Sequence, residues 1–256
     1  MFGVVRRFFQ RDRRPSDQQG FTLVEMSIVL VIIGLIVGGI LKGQEIVNNG
    51  RIKMQVAQID SVKAAVNTFT DKYGYYPGDF SASSILTSTT TWDGNEDGIV
   101  GDKASSGTFI TDGAAVDSEM EYVWYQVQLA SLLAGVEQTA PYAYQGKLPG
   151  TVLWFGDMNW SSNAITAKMI RIQRSATPTG APLTAVRTAD AQSIDQKYDD
   201  GSPGSGQILA GTASDTTNCC KGAACSGSST TYGLSAGTSA GTGTAANYCV
   251  LLWVVQ

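Results

Sequence analysis

The chain has 256 residues, enough for one membrane-spanning helix and one soluble domain of ordinary size. Its 18 basic and 22 acidic side chains leave a net charge of −4, and it contains no histidine. An acidic balance argues against nucleic acid as the main partner, and the missing histidine removes both the commonest general base and the commonest metal ligand.

The charge is unevenly placed. Arg6, Arg7, Arg11, Arg13 and Arg14 stand against Asp12 and Asp17, so residues 1–20 carry +3 and the rest of the chain −7. These 20 residues read as a leader, to be left out of the fold. Immediately after them Gly20-Phe21-Thr22-Leu23-Val24-Glu25 opens an apolar run lasting to Leu41. Its 21 residues from Phe21 meet the roughly 20 that a helix needs to cross a bilayer. Glu25 is the acid inside it. A lone carboxylate at that depth is costly in lipid, so it is read as a functional group with a partner to be found. The arginine flank predicts a cytoplasmic N-terminus by the positive-inside rule, with everything after Leu41 on the far side.

A basic leader ending in glycine, then Phe-Thr-Leu-Val-Glu and about 15 more apolar residues, resembles the type III signal of type IV prepilins and type II secretion pseudopilins. The resemblance is close over about residues 15–77 and architectural beyond. It implies cleavage between Gly20 and Phe21 by a prepilin peptidase and N-methylation of Phe21. Glu25 then becomes the fifth residue of the mature chain, and pairs with the Phe21 amine of a neighbouring subunit. It further implies an α+β pilin-like fold, a long N-terminal helix packed on a C-terminal domain with a small antiparallel sheet. The expected divisions are a leader at 1–20, a membrane or filament-core half-helix at 21–41, an amphipathic half-helix at 42–76 and a periplasmic or extracellular domain at 77–256.

The helix is expected to run unbroken to about Tyr73. Ile46, Ile52, Val56, Ile59, Val62, Val66, Phe69 and Tyr73 form an apolar stripe at mostly three- and four-residue spacings, opposite Lys53, Gln55, Asp60, Lys63, Asn67 and Asp71. Gly74 and Pro77 supply the stop. Gly34, Gly38 and Gly39 within the span permit close helix contact. After a Ser/Thr-rich stretch comes Asp93-Gly-Asn95-Glu-Asp97-Gly98-Ile-Val-Gly-Asp102, which matches the first half of a calcium loop. Ala104 stands where the bidentate acid belongs, with Asp102 an imperfect substitute. A plain Asp/Asn/Gly turn explains the same residues. Calcium through Asp93, Asn95, Asp97 and Asp102 is thus one open reading and no cofactor the other.

Ser118-Glu-Met-Glu121 is a capping box expected to start a helix through Ala134, stopped by Gly135. Strands are expected at 151–156, 164–173, 207–210 and 248–255, and a helix from Pro182 to Lys197. Asp199-Asp200 ends that helix as a solvated turn or a calcium-binding acid pair. The Gly/Ser/Thr/Ala tract between Ser226 and Asn247 holds too little apolar surface to order itself. Cys225 and Cys249 flank it, with Cys219 and Cys220 just upstream. An even cysteine count in an exported domain reads as disulfides. Joining Cys219 to Cys220 strains disulfide geometry, so each is expected to take one partner from Cys225 and Cys249. Metal binding by the four is the rival reading. Such a closed C-terminal region resembles the variable, exposed part of many type IV pilins.

The resemblance implies a structural subunit, not an enzyme. A mature length of 236 residues fits a minor pilin, with a type II secretion pseudopilin as the nearest alternative. The implied partners are the peptidase, other pilin subunits, the inner-membrane assembly platform and inner-membrane lipid. A membrane-tethered enzyme lacks any Ser/His/Asp set, Cys/His pair or phosphate loop. An adhesin or DNA-uptake tip protein would expose Trp92 or Trp160.

Overall fold

The computed structural model describes residues 20–81, 86, 93–101, 119–136, 143–160, 165–173, 186–211, 219–220, 232 and 248–255. Asp102, Trp92, Cys225 and Leu183 lie outside them, as does the Trp160 side chain. The chain divides into two units, Met1–Asn48 and Asn49–Gln256.

The architecture is α+β with a long N-terminal helix and a C-terminal antiparallel sheet, the pilin-like layout. Helix α1 runs Leu23–Tyr73 without interruption. It ends where Gly74 takes φ +82° and its N–H reaches back to the Thr70 carbonyl at 2.8 Å, the left-handed stop that glycine adopts freely.

In the first unit every large apolar side chain from Phe21 to Leu41 is at least 39% exposed. No described residue covers them. In the second unit Ile52, Val56, Ile59, Val62, Val66 and Phe69 are buried in one core, as the stripe predicts. Two positions depart from it. Ile46 is 64% exposed, and Gln55, expected on the wet side, is fully buried. The Gln55 Oε1 accepts the Lys147 and Leu148 amides at 2.7 and 3.1 Å, while Gln58 Nε2 donates to the Gln145 carbonyl at 2.7 Å. Position 55 is thus apolar in placement and polar in use: the helix clamps a turn whose amides need an acceptor.

Helix α2, Glu119–Leu129, is shorter than the expected run to Ala134. Ser131 takes φ +59° and the Leu132 amide bonds Val127, so the chain turns before Gly135. Five strands form one sheet in the order β1-β2-β3-β7-β5, all neighbours antiparallel. They are β1 (Tyr144–Gln145), β2 (Val152–Trp160), β3 (Ile165–Gln173), β5 (Ile208–Ala210) and β7 (Leu251–Val254). A second pair joins β4 (Val186–Arg187) to β6 (Tyr248–Cys249). Two expectations are corrected here. The segment read as one C-terminal strand splits at Val250 between two sheets. The helix expected from Pro182 has strand at Val186–Arg187, and helix α3 begins at Thr188 and ends at Tyr198. Pairing with β6, sixty residues on, overrides the local pattern.

Alternation along β3 puts Ile170 and Ile172 on one face and Arg171 and Gln173 on the other, and all four are buried. The sheet therefore has no wet face at these positions. Gly156 on β2 lets α2 come close: a Cβ there would meet the Met120 side chain and the Val100 carbonyl at 2.8 Å.

Candidate functional site

The amino-terminal segment is built around one reciprocal cap. Gly20, Phe21 and Thr22 precede the helix, and the Met26 amide makes a helical bond to the Thr22 carbonyl at 3.2 Å. Glu25 Oε2 accepts the Thr22 amide at 2.8 Å and the Thr22 hydroxyl at 2.9 Å, while Thr22 Oγ1 accepts the Glu25 amide at 3.2 Å. This is a capping box, Thr-x-x-Glu, satisfying donors that a helix start leaves open. The Thr-x-x-Glu spacing is present in the sequence, inside a motif whose reading rests on its apolar run and its resemblance to a cleavage signal. Downstream, the apolar run closes at the Lys42–Glu45 pair, 2.7 Å apart and exposed. By length and composition α1 is a helix able to cross a membrane. A continuous apolar surface of this size on a folded chain has to be covered by lipid or by protein.

Residues 93–101 form a loop hung from acids on other segments. Asp79 accepts the Asp97 amide at 2.9 Å and the Gly98 amide at 3.0 Å. Glu119, in the first turn of α2, accepts those of Asn95 and Gly101 at 2.9 and 3.0 Å. Asp157 on β2 accepts the Val100 amide at 2.7 Å and pairs with Lys168 at 2.6 Å. Buried Gln126 holds the turn that presents Asp79, accepting the Gly78 amide and donating to the Phe80 carbonyl. Gly94 passes so close to the Asp79 backbone that any side chain would collide with it.

Three of the four expected calcium ligands, Asp93, Asn95 and Asp97, lie among the described residues. Asn95 and Asp97 bond each other and the loop's own amides, Asp93 is buried, and Asp102 is outside the described residues. The carboxylate oxygens that converge, within 4.8 Å of one another, belong to Asp79, Asp97 and Glu119. Such oxygens could hold a hard cation, yet both oxygens of Asp79 and of Glu119 already anchor the loop. Burial pushes Glu119 up to about 7, against its two amide bonds and reinforced by the charges of Asp79 and Asp97. Burial raises Asp79 as well. Motif reading missed Asp79 and took Glu119 only as a helix starter. Nothing local marks either as a loop anchor.

A second acid group, Asp195, Asp199 and Asp200, organises the chain after α3. Asp195 accepts the Tyr232 hydroxyl at 2.7 Å and the Gly201 amide at 3.0 Å. Asp199 accepts the Ile208 amide at 2.7 Å, and Asp200 the Ser205 hydroxyl at 2.6 Å. Burial raises Asp195, and burial with the Asp195 contact raises Tyr232. Nearby, Cys219 bonds Cys249, with Cα atoms 5.2 Å apart, tying β6 to a segment 30 residues earlier. This is one of the two pairings left open by the sequence. Cys220 is also disulfide-bonded, and its backbone bridges to Tyr232.

The helix start decides the family signal, because its residues match a known pattern. Residues 15–41 match the family model of the prokaryotic N-terminal methylation motif. That motif is the class III signal of type IV prepilins and pseudopilins, and it contains Gly20, Phe21, Thr22 and Glu25. No curated protein and no solved structure matches the chain. The match supports a subunit of the kind that is processed at its N-terminus.

Proposed function

We propose that this chain is a structural subunit of a type IV pilus-type filament, a minor pilin or pilin-like protein without catalytic activity. It is anchored in the inner membrane by the first half of α1, with its N-terminus cytoplasmic and residues 77–256 periplasmic until assembly. A prepilin peptidase cuts between Gly20 and Phe21, and Phe21 is then methylated. The assembled helices replace lipid around Phe21 to Leu41, and Glu25 of one subunit meets the terminal amine of another. The single observation that carries this reading is the uncovered apolar half of α1, led by the methylation motif. Two buried charges, each costly alone, offset one another when paired. A head-to-tail contact that does not close gives a fibre rather than a ring.

The test is processing. Wild-type protein recovered from membranes should begin at Phe21, with the mass of one added methyl group, and Gly20→Ala should remain uncut on a gel. Normal maturation of Gly20→Ala, or a wild-type protein that still begins at Met1, sinks the reading. Imaging surface filaments in cells expressing the tagged subunit separates a pilus from a secretion pseudopilus.

A further inference from the structure

We propose that the turn at residues 199–206 guards one edge of the sheet, barring a second copy of this chain from adding its own β5 strand there. Among the described residues β5 is an end strand, hydrogen-bonded to β7 on one side. In an antiparallel pair successive residues point their amides alternately toward the partner and away from it. The Gln207 carbonyl accepts the Val254 amide and the Gly211 amide reaches the Val250 carbonyl, both at 2.8 Å, so these positions face β7. Ile208 and Ala210 therefore turn their amides outward. A row of such donors is a template for another strand, and Ile208-Leu209-Ala210 has neither the charge nor the proline that commonly protects an edge. Both outward amides are nonetheless taken. Asp199 Oδ2 accepts that of Ile208 at 2.7 Å, and the Pro203 carbonyl accepts that of Ala210 at 2.9 Å. The turn thus occupies the place of the next strand. Asp200 braces it, accepting the Ser202 amide at 2.8 Å and the Ser205 hydroxyl at 2.6 Å. Gly206, at φ +83°, gives Asp199 its path, since a Cβ there would collide with the Asp199 carboxylate. The occupant kept out is a second copy, because two identical edges can pair antiparallel about a two-fold axis. On β2, beyond its pairing with β1, the Asp157 amide is likewise taken, by the Val100 carbonyl at 2.9 Å.

The inference stands apart from the filament reading, and its test uses the full chain in detergent micelles. Asp199→Ala removes the acceptor, Asp199→Asn removes the charge and keeps an acceptor, and Gly206→Ala displaces the carboxylate while keeping its charge. Sedimentation in density-matched detergent should show Asp199→Ala and Gly206→Ala dimerising at a concentration about tenfold below wild type, the scale of one lost hydrogen bond to a charged group. Asp199→Asn should match wild type. Amide hydrogen exchange, at a dilution where the proteins are monomeric, reads the guard directly. In wild type the Ile208 amide should exchange as slowly as the Gly211 amide of the ladder, and in Asp199→Ala about tenfold faster. Wild-type association of folded Asp199→Ala or Gly206→Ala would overturn the proposal. So would Asp199→Asn associating like Asp199→Ala, which would assign the effect to charge. Should either variant melt below the measuring temperature, the wild-type exchange still decides: an Ile208 amide as fast as a free one means that no guard exists.

Discussion

Glu119 shows how a buried acid serves as a fastener at a cost that depends on pH. Its carboxylate accepts two loop amides, and Asp79 and Asp97 crowd it with like charge. Its folded value of about 7 lies above the ordinary 4.5. The folded state therefore binds this proton more readily than the unfolded chain does. Stability from Glu119 is fully present below about pH 4.5 and is lost as pH rises through about 7. The full swing is on the order of 3 kcal/mol. Asp79, raised by burial as well, adds to it in the same direction. Melting temperature of the detergent-solubilised chain should fall between pH 5 and pH 8. Glu119→Gln should flatten most of that fall, at the cost of one amide acceptor. A profile equally steep in the variant would place the titration elsewhere.

Among the elements, what was legible in the sequence is what is local. The apolar run, the stripe from Ile52 to Phe69, the Gly74 stop and strands β2 and β3 all follow from spacing within a few residues. Gln55 was not legible, because its burial depends on amides at Lys147 and Leu148, some 90 residues away. Val186 and Arg187 form strand because β6 is there to pair with them. Asp79 and Glu119 are likewise joined only by folding. The Thr22–Glu25 cap is the opposite case, a local signal hidden under a stronger one. Long-range ties of this kind make the C-terminal elements dependent on the Cys219–Cys249 bond. It closes a loop of 30 residues around a tract poor in apolar side chains. Replacing both cysteines by serine should cost about 2–4 kcal/mol, seen as a melting temperature lower by roughly 5–15 °C. An unchanged melting temperature would mean that β4, β6 and Tyr232 hold that region without the bond.

At the scale of the molecule, the two units solve opposite problems. The described residues of 49–256 bury most of their large apolar side chains, with Trp124, Trp154, Phe69 and Phe155 fully enclosed. Residues 21–41 leave every large apolar side chain exposed, and their only acid is Glu25. The helix is continuous from Leu23 to Tyr73, lining a core in its second half and leaving its apolar first half exposed. If the first half exists for lipid and for other subunits, it contributes nothing to the stability of the second unit. A chain lacking residues 1–48 should then be soluble without detergent, monomeric by sedimentation, and as thermally stable as the full chain in micelles. It should also fail to enter filaments beside wild-type subunits, because Glu25 and the apolar run go with the deletion. A truncated chain that aggregates or melts well below the full protein would show that the apolar half-helix supports the fold itself. Self-assembly of the truncated chain would move the filament contact to the globular surface.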